Sequence, residues 1–442
     1  MIAKASNQSI ATALALLIAL CLLALPVGSR DARAQETAGF VPGQVVVKLA
    51  PGVGIGDLNL RIYGLRVQES FLGQPSTGVY LLQATDGATA QSKLDAILGS
   101  PLIAYAELNY LSNAPEAAAR HRAFPADGAT PTTRNYSRNG AYSDSALNLT
   151  AAREVSQGAG TRVAVLDTGA QLTHPALKAN FAGVPRYDFV DDDTDPSEPA
   201  FAKNKQRLAQ EVVGHGTHVS GIIDLVAPQA EIMPLRVLDR EGYGTTFHIA
   251  EGIAYAEANE ADVINLSLGT PSWSRLLREK VDEAIAGGVV VVAAAGNYNS
   301  FQPQYPASNG PPPLSLALKK DGLLAVTSVG AAEKKSDFAN WGTWVDMVAP
   351  GEEILSTYPT SGYAYWSGTS MASPFVAGEA ALIRSTNGTL DPGGVEGRIR
   401  SGARCVDQKN AQYTGMLGSG HADIDASLRQ VEGPHCVTKV IP

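Results

Sequence analysis

The feature that most constrains the fold is a series of short apolar segments that follows Gly160 and alternates with helical patterns. Six segments have the length and the Val, Ile and Leu content of buried strands: 162–166, 231–237, 262–268, 289–295, 323–329 and 344–348. Helical periodicity lies between several of them, for instance at 247–258 and 276–286. Strands that are apolar throughout and separated by helices predict an α/β fold, a mostly parallel β-sheet flanked by helices on both faces.

A smaller unit precedes this region. Residues 35–113 predict a small α+β domain, with strands at 44–49, 78–84 and 103–111 and a helix at 89–98. Residues 114–140 are rich in Ala, Arg, Thr, Asn and Pro and have no apolar period. We therefore expect an exposed linker there that is open to proteolysis. The predicted α/β domain takes up the remainder, 141–442.

The first 34 residues have the pattern of an export signal. Lys4 precedes an apolar run at 10–27, and Ala32-Arg33-Ala34 has the small-x-small form of a signal peptidase site. The pattern predicts cleavage after Ala34 and an extracellular or periplasmic protein with no stable membrane anchor. The alternative is an uncleaved anchor, because 18 apolar residues could just span a bilayer.

Composition excludes several classes of protein. With 45% hydrophobic and 17% charged residues, the 442-residue chain has enough apolar side chains for a sizeable core and is not a disordered chain. A net charge of −9 argues against binding to nucleic acid or to an anionic membrane surface. Of three cysteines, Cys21 lies in the predicted signal, which leaves Cys405 and Cys436 as a predicted disulfide in an oxidising compartment. The alternative is two free buried thiols.

Three segments place reactive side chains where ligands of such folds bind, beyond the carboxyl ends of the strands. Asp167 ends a predicted strand, and His215 and Ser370 each begin a predicted helix. An unpaired buried carboxylate is costly, and an imidazole N–H would satisfy it. The imidazole would then be oriented to take a proton from the serine hydroxyl. The residues by themselves therefore favour nucleophilic catalysis.

Five segments in this order are similar to those of subtilisin-like serine proteases, the subtilases: DTGAQLTHP, GHGTHVSG, NLSLG, AAAGN and GTSMASP. The resemblance covers about residues 141–428 and implies a subtilisin-like fold. It implies that Asp167 orients the base, that His215 is the general base and acid, and that Ser370 is the nucleophile. Asn297, in AAAGN, matches the amide that stabilises the oxyanion.

The resemblance extends to the substrate cleft. It implies that an extended peptide pairs with Ser267, Leu268 and Gly269, and that Ala295 and Gly296, together with 305–307, line the primary specificity pocket. Residues 308–322 depart from the family pattern and indicate an insertion. The 35–113 domain resembles the family propeptide, which inhibits its own enzyme. Its last residues, 104–113, are the part expected in the cleft.

An acidic loop suggests a metal site. Residues 187–197 (YDFVDDDTDPS) resemble a calcium loop of thermitase-like subtilases. Closely spaced oxygens of this kind suit a hard cation, so we expect a possible structural calcium. The candidate ligands are Asp188, Asp191, Asp193 and Asp195. The alternative is a solvated acidic loop. The chemistry of Ser, His and Asp requires no cofactor.

Taken together, the sequence predicts a secreted serine endopeptidase that is made as a self-processing zymogen and cuts peptide bonds through an acyl-enzyme. Its partners would be peptide or protein substrates and its own propeptide. Two alternatives stay open: a catalytically inert binding protein with the same fold, and a processing protease of narrow specificity.

Overall fold

The computed structural model describes residues 39–119, 123–125, 146–201, 211–308, 310, 321–434 and 436. The predicted signal, residues 1–34, lies outside the described residues, as do most of the predicted insertion and much of the predicted linker. None of the helices in the described part of the chain is both long and apolar enough to cross a bilayer.

The N-terminal domain is an antiparallel sheet with one helix. Its elements are β1 (Phe40–Leu49), β2 (Leu65–Ser70), β3 (Val79–Ala84), α1 (Ala90–Ile97) and β4 (Ile103–Asn113). The strand order is β2-β3-β1-β4, and alternate residues of β1 and β3 pack on Ile97 of α1. The predicted α+β domain is confirmed. Strand β2 escaped the sequence analysis because its residues, LRVQES, are mostly polar and exposed.

The second domain is built on a parallel sheet, as predicted. Its strands are β6 (Arg162–Asp167), β7 (Tyr187–Asp188), β8 (Glu231–Arg236), β10 (Val263–Leu266), β11 (Val290–Ala294), β12 (Leu323–Val329) and β13 (Met347–Pro350). The order is β13-β12-β11-β10-β6-β8-β7, and each neighbouring pair in this order is parallel. The six predicted strands are confirmed: 323–329 matches at both ends, and the ends of the others differ by at most three residues.

Helices cover both faces of this sheet. They are α3 (Leu149–Val155), α4 (His215–Val226), α5 (Thr246–Ala258), α6 (Arg275–Ala286), α7 (Thr369–Thr386), α8 (Pro392–Gly402) and α9 (Ile424–Arg429). Two separate apolar clusters lie on opposite faces of the strands, one of them centred on α4 and α7. Helix α7 is buried over most of its length, which fixes its first turn at the carboxyl edge of the sheet.

Two small strand pairings complete the described architecture. Strand β9 (Tyr243–Thr245) pairs with β4 and so extends the sheet of the N-terminal domain into the second domain. A hairpin of β14 (Ile354–Tyr358) and β15 (Gly362–Trp366) pairs with β5 (Phe124–Pro125). The two domains are therefore joined by backbone hydrogen bonds.

The expectation of an exposed linker from residue 114 is wrong for residues 114–116, which are buried. Ala114 is fully buried, and Pro115–Ala119 forms a short helix, α2, whose Glu116 is also fully buried. These residues have no apolar period because the helix has fewer than two turns and is buried by the second domain, not by its own amphipathic face.

An arginine side chain binds two carboxylates of the predicted calcium loop. Arg236, at the end of β8, donates to the carboxylates of Asp188 at 2.6 Å and Asp191 at 2.5 Å. Asp193 and Asp195 accept hydrogen bonds within the loop instead. Among the described residues, these four carboxylates do not converge on one point as metal ligands would. The guanidinium supplies positive charge to two of the four carboxylates, and calcium binding by this loop stays a prediction.

The two remaining cysteines form the predicted pair. Cys405 and Cys436 are joined by a disulfide with an S–S distance of 2.06 Å. The bond closes a loop of 31 residues and ties Cys436 to the residues that follow α8.

The disulfide should stabilise the fold by about 3–4 kcal/mol, the loop-entropy value for this separation. Reductant should therefore lower the melting temperature (Tm) of the wild type and leave that of a Cys405→Ser, Cys436→Ser double variant unchanged. Calorimetry with and without reductant checks this. Two free thiols in the unreduced wild type, found by mass spectrometry after alkylation, would contradict it.

Replacing Arg236 should destabilise the second domain. Arg236→Met leaves Asp188 buried without its counter-charge, at a cost of about 3–5 kcal/mol. Arg278→Met is the control, because its partner Asp282 lies one helical turn away near the surface and such pairs contribute less than about 1 kcal/mol. Urea denaturation measures both. A calcium-dependent Tm that Asp193→Asn weakens would support the calcium interpretation.

Candidate active site

Three elements bring the predicted reactive side chains together. Asp167 is the last residue of β6, His215 is the first residue of α4, and Ser370 is the second residue of α7. All three residues are fully buried. The parallel sheet explains the meeting point, since the carboxyl end of β6 and the starts of both helices lie at the same edge.

Asp167 and His215 form the predicted pair. The Asp167 Oδ1 atom lies 2.7 Å from His215 Nδ1 and also accepts the N–H of Thr168 at 2.7 Å. The imidazole is therefore the partner of Oδ1 at the end of the strand, as the sequence predicted, while Oδ2 has no hydrogen-bond donor among the described residues. The contact fixes the imidazole ring so that Nε2 faces away from Asp167.

A side chain that the sequence analysis missed lies on that opposite side. The Glu116 Oε2 atom accepts the Ser370 hydroxyl at 2.6 Å and lies 3.0 Å from His215 Nε2. Its Oε1 atom accepts the Asn297 Nδ2–H at 2.8 Å. The only sequence signal for it is an acidic residue just after the strand expected in the cleft, which is too weak to single out.

The Glu116 carboxylate changes the ionisation of the imidazole. Burial lowers the pKa of His215, but the carboxylates of Asp167 and Glu116 outweigh it and raise that pKa to about 10. Burial likewise favours a higher pKa for Glu116, but its three hydrogen-bond donors hold the pKa below the usual value. In this arrangement His215 is an imidazolium at neutral pH and donates from both ring nitrogens.

Backbone and amide geometry shape the space that Glu116 fills. A Cβ atom built on Gly368 would lie 1.7 Å from Glu116 Oε1, so this position must be glycine for the carboxylate to fit. Asn297 Oδ1 accepts both the N–H of Thr369 at 2.9 Å and its hydroxyl at 3.0 Å. These two bonds orient the amide so that Nδ2 points into the site.

The end of β4 lies in the cleft expected for an extended peptide. Asn113 and Gly269 exchange two backbone hydrogen bonds of 2.9 Å, and Ala114 N donates to Gly242 O at 2.9 Å. Residues Leu111 to Asn113 pair with β9 on the other side. The predicted position of residues 104–113 is thus confirmed at their carboxyl end, between β9 and Gly269.

The other residues predicted to bind substrate surround this strand. Ser267 O lies 3.3 Å from the Ser370 hydroxyl, and Leu268 is fully buried beside it. Gly296 has a φ of 101°, and a Cβ there would lie 2.6 Å from Asn340 Nδ2. Asn340, which the sequence analysis missed, also donates to Ala295 O at 2.9 Å and so fixes this wall.

Two further ionisable side chains, those of His218 and Glu198, pack behind Asp167 and His215. His218 Nε2 contacts the carbonyls of Ile354 and Ala364, and burial lowers the pKa of this imidazole to about 3, so it stays neutral. Glu198 accepts from the Thr168 hydroxyl, and burial raises its pKa to about 7. These contacts give His218 a packing role behind His215.

Comparison with protein-family models gives two matches. A model of the subtilase family matches residues 158–420, and a model of the fervidolysin N-terminal prodomain matches residues 28–109. The first range contains all three reactive side chains, and the second ends shortly before the strand segment that lies in the cleft.

Two relatives with similar sequences are named thermitase and thermophilic serine proteinase. The chain is 40% identical over 288 residues to thermitase of Thermoactinomyces vulgaris, covering 63% of this chain and 90% of that protein. It is 38% identical over 305 residues to a thermophilic serine proteinase of Bacillus sp. (strain AK1), covering 67% of this chain. The chain spans 66% of the length of the Bacillus protein.

Solved structures of proteases share the fold. Fervidolysin from Fervidobacterium pennivorans, a keratinolytic enzyme related to subtilisin, superposes with a TM-score of 0.68 over 88% of this chain and 61% of that chain. At 23% identity, this likeness concerns the fold. A protease structure from Pseudoalteromonas arctica superposes with a TM-score of 0.58 at 32% identity, over 69% of this chain and all of that one. The subtilase model alone matches more than half of the sequence, and the chain therefore belongs to the subtilase family.

Proposed function

We propose that this protein is a serine endopeptidase that cuts extended peptides through an acyl-enzyme and is held inactive by its own N-terminal domain. The observation that carries the proposal is the convergence of three polar groups on one buried carboxylate. Ser370 Oγ, His215 Nε2 and Asn297 Nδ2 all lie within 3.0 Å of an oxygen of Glu116. A scissile carbonyl group in that place would meet a nucleophile, a base and a hydrogen-bond donor at once.

The chemistry follows from this geometry once Glu116 has left. The Ser370 hydroxyl attacks the carbonyl carbon and passes its proton to His215 Nε2, while Asp167 stabilises the imidazolium. The negative charge that develops on the carbonyl oxygen is stabilised by Asn297 Nδ2 and by an unpaired backbone N–H in the first turn of α7. The imidazolium then protonates the leaving amine, and water hydrolyses the acyl-enzyme in the same way.

The class of substrate is supported by the path of β4. A strand between β9 and Gly269 satisfies its backbone hydrogen bonds on both sides, so affinity would come from the main chain of an extended peptide. We therefore infer that substrates are flexible or unfolded segments of proteins.

Inhibition by the N-terminal domain is supported by contacts well outside the cleft. Glu107 of β4 accepts from the Ser274 hydroxyl and from the N–H groups of Arg275 and Leu276, so it caps helix α6. A carboxylate at this end of a helix is also favoured by the helix dipole. The domain is thus fixed on the second domain independently of Glu116, and the cleft stays filled as long as the domain is bound.

Export is part of the proposal. The apolar run and the Ala32-Arg33-Ala34 site at the N-terminus favour it. The disulfide between Cys405 and Cys436 also favours an oxidising compartment such as the periplasm or the extracellular space.

Removing the nucleophile should abolish activity. Ser370→Ala should lower kcat by about 10⁶, because the three catalytic side chains act as a unit. Asn297→Ala should cost about 10²–10³, the loss typical of one oxyanion donor. Ser401→Ala, exposed on α8, is the control and should be unaffected. Peptide hydrolysis by the processed enzyme and labelling of Ser370 with a fluorophosphonate measure these effects. More than about a tenth of wild-type activity in Ser370→Ala would refute the assignment.

Occlusion by Glu116 should depend on pH. Docking raises the His215 pKa, so its ion pair is complete below the ordinary imidazole pKa and is lost as pH rises through the raised value. Docking lowers the Glu116 pKa, so the pair is also lost in acid, as pH falls through that lowered value. The other ionisable groups nearby, Asp167 and the neutral His218, are present in both states.

Fluorophosphonate labelling of the intact chain tests this dependence. The labelling rate of the wild type should rise steadily from neutral pH towards the raised His215 pKa. Glu116→Gln should label faster at neutral pH by about tenfold or more, the factor for one pKa unit of lost coupling. Glu154→Gln, exposed on α3, is the control. Equal rates in wild type and Glu116→Gln at every pH would show that this carboxylate does not close the site.

A further inference from the structure

Three ionisable side chains meet where the N-terminal domain contacts helix α5, away from the catalytic side chains. Glu69 projects from β2, while His248 and Glu251 lie one turn apart on α5. One nitrogen or oxygen atom from each lies within 4.8 Å of the others. The closest pair, His248 Nε2 and Glu69 Oε2, is 3.5 Å apart.

One atom of this cluster lacks the partner that its burial requires. Glu251 is 1% exposed, and its Oε1 atom accepts the N–H of Leu72 at 2.6 Å. Its Oε2 atom is buried and has no hydrogen-bond donor among the residues that the structure describes. The neighbouring Glu69 offers only another carboxylate. Two acidic groups that face each other without a donor need a proton or a cation between them.

Further negative charge nearby also favours a proton or a cation at this cluster. A cavity of about 350 Å³ opens beside the cluster, and Glu69, Asp192 and Glu251 are its acidic lining residues. The side chains of Glu69 and His248 are 37% and 24% exposed, so an ion can reach the cluster from solvent.

We propose that Glu69, His248 and Glu251 bind a zinc ion that bridges the N-terminal domain and the second domain. Imidazole nitrogens and carboxylate oxygens are both ligands of Zn²⁺, and three protein ligands leave a fourth position for water. Two ligands of a tetrahedral zinc site lie about 3.3 Å apart, given bonds near 2.0–2.1 Å. The 3.5 Å separation of His248 and Glu69 already approaches this value.

The site has a consequence for the complex of the two domains. Its ligands come from both domains, so the full set exists only while the domains are docked. Zinc would therefore stabilise the docked state and leave the catalytic side chains untouched. This regulatory consequence rests on the proposed zymogen function, whereas the binding of zinc does not.

The test uses the full chain carrying Ser370→Ala, which cannot process itself. Isothermal titration with Zn²⁺ and metal analysis after gel filtration should both give one ion per chain. Co²⁺ in its place should produce the visible absorption of a tetrahedral nitrogen and oxygen site. In the same background, His248→Ala should weaken zinc binding by more than about 100-fold, since loss of an outer-shell partner alone can cost that much.

Two further variants separate metal binding from folding. Glu251→Gln keeps the acceptor for Leu72 N and gains an N–H that can donate to Glu69. It should therefore lose the zinc-induced rise in Tm while its Tm in chelator equals or exceeds that of the parent. Glu260→Gln, which follows the same helix and has a 91% exposed side chain, should bind zinc as the parent does.

Two results would overturn the proposal: no zinc bound by the parent chain, or zinc binding that His248→Ala and Glu251→Gln leave unchanged. Failure of the enzyme assignment is recognised separately. In that case the wild-type chain, with Ser370 intact, would show no fluorophosphonate labelling under any condition, while the zinc titration of the Ser370→Ala chain would still report on the site.

Discussion

The structure depends on how the carboxylate of Asp167 is paired at the end of a strand that is buried from Val163 onwards. Its partner, His215, is equally buried, and the Oδ1 to Nδ1 distance is 2.7 Å. Burial of an ionised carboxylate is tolerated only with such a partner. The contact fixes the start of α4 against the end of β6, and it turns the free imidazole nitrogen towards the first turn of α7. The order of the strands and the position of both helices make this one hydrogen bond possible.

The same arrangement explains both the proposed catalysis and its proposed inhibition. Groups that stabilise an oxyanion and accept a serine proton also bind a carboxylate well, because a carboxylate offers two oxygens to them. Glu116 uses both: one oxygen accepts from Asn297, and the other faces Ser370 and His215. Its side chain takes the place of a product carboxylate without any cut in the chain. Docking also charges the imidazole, which removes the base that the reaction would need.

The N-terminal domain is attached at several points with different chemistry. Strand β4 supplies backbone pairing with β9, and Glu107 caps α6. Apolar side chains of the domain, Phe71 among them, pack on Phe247 of α5. The facing carboxylates of Glu69 and Glu251 are the exception, since they oppose docking unless a proton or a cation lies between them. Such an interface is stable as a whole, but at the contact between Glu69 and Glu251 it is sensitive to the presence of a proton or a cation.

The sequence by itself determined six strands of the parallel sheet, the positions of helices α4 to α7 and the three side chains that meet at its edge. Strands buried on both faces leave long apolar runs, and the motifs around Asp167, His215 and Ser370 are local. Only the tertiary structure decided which distant residues contact the reactive side chains and the acidic loop. Glu116 contacts Ser370 across 254 residues, and Arg236 contacts Asp188 and Asp191 across 48 and 45 residues. No periodicity or motif records such contacts, since each residue is unremarkable among its neighbours in the chain. The acidic loop shows the difference: its charge could be seen in the sequence, but the arginine that binds two of its carboxylates could be found only in the fold.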